Sequence, residues 1–132
     1  MLNNIVEQFP FLQDLEYKEF VFQPSIHVSL AATIVNANLP YKPGVYIVYN
    51  YSDSKLGDLL YVGKSGADKK GNINTHQIPK RLLAVCYPPE RYLRGNEKKH
   101  IIRNEIWPIM MKQDNITAIK VFCFFSTITA NF

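Results

Sequence analysis

The stretch PGVYIVYNYSDSKLGDLLYVGKSG, residues 43–66, sets Tyr46 two residues after Gly44 and Tyr61 two residues before Gly63, with Lys64 and Ser65 following. The plainest reading is that such tyrosines fill one side of a half-buried sheet, as aromatic residues commonly do. Gly63-Lys64-Ser65 also looks like the tail of a phosphate-binding loop. The spacing excludes this, because GxxxxGK[ST] needs glycine at 58 where the chain has Asp58, and a helix should follow at once.

Charge points more firmly to a polyanion. Residues 1–63 carry three Lys or Arg against six Asp or Glu, residues 64–103 carry ten against three, and residues 104–132 carry two against two. The whole positive excess therefore sits in the middle of the chain. That segment holds Lys64, Lys69, Lys70, Lys80, Arg81, Arg91, Arg94, Lys98, Lys99 and Arg103, interleaved with Tyr87 and Tyr92. Clustered cations with aromatics between them suit nucleic acid, where phosphates supply affinity through counterion release and rings supply stacking. The competing reading is a solvated helical face.

The elements that must position these groups follow from pattern. A chain of 132 residues, 47% of them hydrophobic, suffices for one domain with a core. Residues 3–15 allow a short helix interrupted at Phe9-Pro10. Tyr17–Phe22 reads as a short strand, and Ser25 as the cap of a helix over residues 26–36. GVYIVYN and LLYVGKS read as two strands joined by an expanded polar turn over Ser52–Gly57. Residues 66–78 read as a loop, after which Pro79 opens a helix continued by Lys80–Val85.

Tyr87-Pro-Pro-Glu marks a turn. From Asn96 the spacing predicts a helix with Ile102, Ile106, Ile109 and Met110 on its apolar face, Lys98, Lys99 and Arg103 largely off it, and a kink at Pro108. Ile116–Ser126, apolar and β-branched, predicts a buried strand. The fold class expected is α+β, a small, mainly antiparallel three-stranded sheet flanked by helices. Residues 1–40 form an N-terminal extension packed on a domain spanning 41–132.

No apolar run approaches the ~18 residues of a membrane span, and the N-terminus lacks a basic region followed by an apolar core. A soluble, cytoplasmic protein is expected. Cys86 and Cys123 stand far apart, without a CxxC or a His/Cys cluster, so they read as buried or incidental thiols.

With Gly44-Val45-Tyr46, Tyr61-Val62-Gly63 and the following Lys64-Ser65, residues 43–126 resemble the GIY-YIG nuclease family in motif order and in the succession strand, strand, helix, helix, strand. The resemblance implies metal-dependent hydrolysis of DNA phosphodiester bonds. Such a reaction must activate a water, neutralise the pentavalent phosphate and stabilise the leaving oxygen. The resemblance assigns the first task to Tyr46, with Tyr61 holding the water or the scissile phosphate. A phenol with a pKa of ~10 acts as a base only where positive charge lowers that value, and Lys64 is the local candidate. Arg81 matches the family's arginine at the start of the following helix, where its fork would bind phosphate bidentately. Arg91 is its rival.

Four departures from the family pattern stand out. The loop between the tyrosines is long, and Ala67–Ile78 is inserted before Arg81. Val85 occupies a position where many members carry histidine or tyrosine, which leaves His76 or Tyr87 as spatial substitutes. The family's carboxylate, which holds a single divalent cation, Mg²⁺ by resemblance, sits on a helix after the third strand; here no acidic residue follows Asp114, and Glu105 lies on the preceding helix. The sequence reading is therefore a domain whose final helix is missing, either because the sequence is part of a longer protein, the favoured explanation, or because the metal site has been lost; left uncovered by that helix, the last strand would expose apolar surface. The residues expected to act are Tyr46, Tyr61, Lys64 and Arg81 in catalysis, and Lys69, Lys70, Lys80, Arg91, Arg94, Lys98 and Lys99 in DNA binding. A catalytically inactive nucleic-acid-binding domain of the same fold is the alternative, and a protein-interaction domain with a solvated basic face is the third reading.

Overall fold

The computed structural model describes residues 2–65, 77–93 and 100–126. Helix α1 (Leu2–Gln8) and a 3-10 turn (Pro10–Leu12) lead into strand β1 (Glu16–Phe22) and helix α2 (Leu30–Ala37). The hairpin β2 (Gly44–Ser52) and β3 (Lys55–Ser65) follows, then α3 (Ile78–Leu83) and the two-residue strand β4 (Val85–Cys86). A second 3-10 turn (Glu90–Tyr92), strand β5 (Ile101–Ile102), helix α4 (Arg103–Gln113) and strand β6 (Ile119–Phe125) complete the described chain. No described helix is long and apolar enough to cross a membrane.

The architecture is α+β. The sheet has four strands rather than three, in the order β1-β6-β2-β3 with every neighbour antiparallel, and β4 pairs with β5 in a separate two-stranded ribbon. The fourth strand is β1, registered from Glu16 opposite Phe125 to Phe22 opposite Ile119. Residues before 40 thus supply an edge strand and a core helix.

Strand alternation sorts side chains to two faces. On one, Tyr46, Val48, Val121, Cys123 and Phe125 pack with Leu30 and Ile34 of α2, Ile78 and Leu82 of α3, and Met111 of α4. On the other, Ile47, Tyr49, Phe122 and Phe124 pack with Ile5 of α1 and Leu12. All seven residues of β6 are buried. The expectation of an uncovered last strand is therefore wrong: β6 lies between β1 and β2, with the first helix and turn over one face and α2, α3 and α4 over the other.

Three local predictions are corrected. Helix α2 begins at Leu30, capped by Ser29 and not by Ser25: the Ser29 backbone is extended, and its Oγ accepts from Ala32 N–H at 3.1 Å. Asn104 Oδ1 on α4 accepts a second free N–H of that turn, from Ala31, at 2.8 Å. The β2–β3 connection is tight, since Ser52 pairs with Lys55 and both Asp53 and Ser54 have positive φ (51° and 61°), the backbone of a two-residue turn that matches strand twist. The extra length is absorbed by irregular register between Val48 and Tyr51.

Helix α4 starts at Arg103, because Ile101 and Ile102 are used in β5. Its buried face is Arg103, Ile106 and Met111, whereas Ile102 and Ile109 are exposed. The helix continues through Pro108, the sixth of its eleven residues, whose missing N–H forfeits the bond to the Asn104 carbonyl.

Candidate functional site

The two motif tyrosines meet on the helix-covered face. Tyr46 lies opposite Gly63 and Val48 opposite Tyr61 in the β2–β3 register, so Tyr46 and Tyr61 are diagonal neighbours with ring centroids 5.8 Å apart. Both motif glycines are explained by close approach. A Cβ on Gly63 would stand 2.5 Å from Tyr46 Cε1, inside the ring's van der Waals envelope. A Cβ on Gly44 would stand 2.9 Å from the carbonyl carbon of Phe124 on β6 and 3.1 Å from Ile78 Cδ1 on α3. The first glycine lets β2 sit against β6 and α3; the second lets the Tyr46 ring lie across β3.

Tyr46 is 1% exposed, and its hydroxyl points toward Arg103, whose Nη2 stands 3.5 Å away. Arg103 is itself 3% exposed. Its Nη1 donates to the carbonyls of Arg81 (2.7 Å), Ala84 (3.2 Å) and Val85 (2.9 Å) where α3 ends and β4 begins; the first two also accept from the backbone N–H of Ala84 and of Arg103 respectively. The helix start at 103 sets this side chain under the C-terminal end of α3. Its Nε is buried without a partner, and among the described residues no carboxylate pairs with the guanidinium. The Oγ of Ser65, on the same face as Gly63, is also buried without a partner.

Burial pushes the Tyr46 hydroxyl from its ordinary 10.0 to about 12; Arg103 and Arg81 pull it down, while Tyr61, by charge and by a hydrogen bond, pushes it up. The cations that act on this phenol are therefore the two arginines. Lys64 faces away: it pairs with Val45, so alternation sends it to the opposite face from Tyr46, Tyr61 and Gly63. The role of lowering the Tyr46 pKa from Lys64 does not fit this geometry, and desolvation outweighs the two arginines that replace it.

Tyr61 is half exposed and, with Arg81 and Arg103, lines a cavity of about 700 Å³ bounded by β3, the segment after α3, and α4. Arg81 is exposed on α3, as is Lys80. At the other end of the cavity Tyr92 donates to Asp114 Oδ2 at 2.5 Å, Arg91 hydrogen-bonds the Tyr92 hydroxyl, and Arg91 pairs with Asp114 at 3.8 Å. Burial and the bond to Asp114 raise the Tyr92 pKa, with Arg91 opposing them. The structure thus brings together Tyr46, Tyr61 and Arg81, places Arg91 at the far end of the same cavity, and sets Lys64 on the other face. Lys69, Lys70, His76, Arg94, Lys98 and Lys99 lie outside the described residues.

Arg103, Trp107 and Asp114 line this cavity and were not singled out as site residues from the sequence. Arg103 is legible only if β5 is recognised, since the two isoleucines before it make it look like the polar flank of a longer helix. Among the described residues no group of three or more His, Cys, Asp or Glu is placed to hold a metal ion. Asp114, the carboxylate on the cavity wall, is tied to Tyr92 and Arg91, so the described residues do not fit a divalent cation beside the tyrosines.

No family model matches the chain, and no match was found among curated proteins or solved structures.

Proposed function

We propose that this chain is a GIY-YIG-type endonuclease domain that hydrolyses DNA phosphodiester bonds. The observation that carries the proposal is the convergence of Tyr46 and Tyr61, paired across β2 and β3 by Gly63, with Arg81 and Arg103 at one end of an open cavity. Arg81 and the Tyr61 hydroxyl are exposed and meet the scissile phosphate. Arg103 adds positive potential from below, strengthened because it is desolvated and has no carboxylate partner among the described residues.

Tyr46, protonated at neutral pH, donates its one hydrogen bond to Tyr61 and so holds Tyr61 toward the attacked phosphate; it is not a base in the free protein. No step is routed through a metal, and Mg²⁺ is a variable of the test. The raised Tyr46 pKa favours a second reading, a nucleic-acid-binding domain that keeps the fold without cutting.

Supercoiled plasmid incubated with and without Mg²⁺ separates the two. The nuclease reading expects nicking that Arg81→Ala lowers about 100-fold or more, the usual cost of removing a transition-state donor. Salt-sensitive binding without nicking by any form assigns the binding domain. Absence of both refutes the nucleic-acid reading and leaves a basic surface that is only solvated.

A further inference from the structure

We infer that the cavity between β3 and α4 takes a single nucleotide, with its base inside and its phosphate at Arg81 and Arg103. This rests on the nucleic-acid reading above and names the substrate class: strands with an unpaired or extruded base, or a free mononucleotide of the same chemistry. Size is the first argument. A space of about 700 Å³ holds a nucleotide or two and lies in the usual range for ligand sites, whereas a duplex is too wide to enter it.

The wall chemistry is the second argument. Tyr61, Tyr87 and Trp107 supply rings on which any base can stack, whereas the buried Tyr92 ring is already covered by Arg91. Asp114 keeps acceptor capacity toward an exocyclic amine after accepting from Tyr92, since a carboxylate offers about four lone-pair sites.

The third argument is the buried cation. Arg103 is 3% exposed, lines the cavity, carries an unpartnered Nε, and has no carboxylate partner among the described residues. A desolvated guanidinium satisfied only by neutral groups, three carbonyls and the Tyr46 hydroxyl, attracts an anion strongly, because the local dielectric is low. With Arg81 also on its wall, the cavity offers cations to a phosphate and aromatic rings to a base. Opening a base to reach such a site costs least in single strands and at mismatches, so these substrates bind first.

The chain contains one tryptophan, Trp107, and it lines the cavity, so its fluorescence reports occupancy directly. Binding is measured in EDTA, where cleavage plays no part, with a single-stranded 12-mer, the same sequence as duplex, and a deoxynucleoside monophosphate. Saturable change in Trp107 emission with the single strand, about tenfold tighter than with the duplex, is expected. Tyr87→Ala should weaken it about tenfold; this ring is 78% exposed, so its removal leaves the core intact. Protection of Cys86, which also lines the cavity, from alkylation by the same ligand provides a second readout.

A monophosphate that matches the single strand assigns a free nucleotide as the ligand; a strand that binds at least tenfold tighter assigns the polynucleotide. Equal affinity for duplex and single strand with unchanged Trp107 emission overturns the inference, as does lack of binding by every probe. Loss of nicking activity with intact single-strand binding fails the nuclease reading alone.

Discussion

Replacing Gly63 by alanine tests the contact on which the tyrosine pair depends. The new Cβ would stand 2.5 Å from Tyr46 Cε1, well under contact distance, and the ring has little room to yield because it is 1% exposed and flanked by Tyr61 and Arg103. No positive φ is recorded at this glycine, so the backbone tolerates alanine and the whole penalty is steric. Overpacking of this kind costs about 1–3 kcal/mol. Restricting the unfolded chain returns about 0.5–1 kcal/mol, and so close an approach takes the upper half of the overpacking range, about 2–3 kcal/mol, so a net loss of about 1–2.5 kcal/mol is expected. At this chain length that lowers Tm by about 3–8 °C.

Thermal unfolding followed by circular dichroism gives the first value, and the same substitution in a Tyr46→Ala background gives the second. In that background the ring is gone, so Gly63→Ala should cost nothing or stabilise slightly. The coupling between the two sites is then about 1–3 kcal/mol. An unchanged or higher Tm for Gly63→Ala alone, or an equal loss in both backgrounds, refutes the packing argument for the second motif glycine.

Gly44→Ala should cost more than Gly63→Ala, about 3 kcal/mol in the same melts, because its Cβ meets the main chain of β6 at Phe124 and not a side chain. Arg103→Lys should destabilise by about 3 kcal/mol in urea titrations and be little better than Arg103→Ala, since one ammonium nitrogen cannot stand both at the three carbonyls held by Nη1 and at the Tyr46 hydroxyl met by Nη2. The Tyr46 pKa of about 12 stands above its unfolded value of 10.0, so the stability it adds is complete below pH 10 and lost as pH rises to 12. Wild type should therefore fall relative to Tyr46→Phe by about 2–3 kcal/mol across that window in alkaline denaturation series. Burial lifts the Cys123 thiol to about 12 and raises Cys86 less far, so a thiol reagent should label Cys86 slowly and leave Cys123 untouched until the chain unfolds.

Much of this molecule was legible from local pattern. Alternation in GVYIVYN and LLYVGKS predicted the hairpin, Pro79 the start of α3, and the apolar β-branched run after Ile116 the central strand. These features have short-range causes: side-chain parity along a strand, the missing N–H of proline, and the need of an apolar run for two covered faces. The parity that sends Lys64 to the opposite face from Tyr61 and Gly63 is also present in the spacing.

Other features depended on partners distant in sequence. Whether Tyr17–Phe22 joins the sheet is decided by Ile119–Phe125, and the covering of that central strand by α1 is decided at the other end of the chain. Ser29 and not Ser25 caps α2 because Asn104 on α4 completes the same turn. Arg103 became the inner wall of the candidate site because β5 consumes Ile101 and Ile102 and resets the phase of α4. The sequence by itself determined the β2–β3 hairpin, the strand after Ile116, the start of α3 and where positive charge accumulates, since each follows from neighbours along the chain. The tertiary structure alone decided which arginine is desolvated beside Tyr46, because burial is a property of what packs on a residue and not of the residue's own surroundings in sequence.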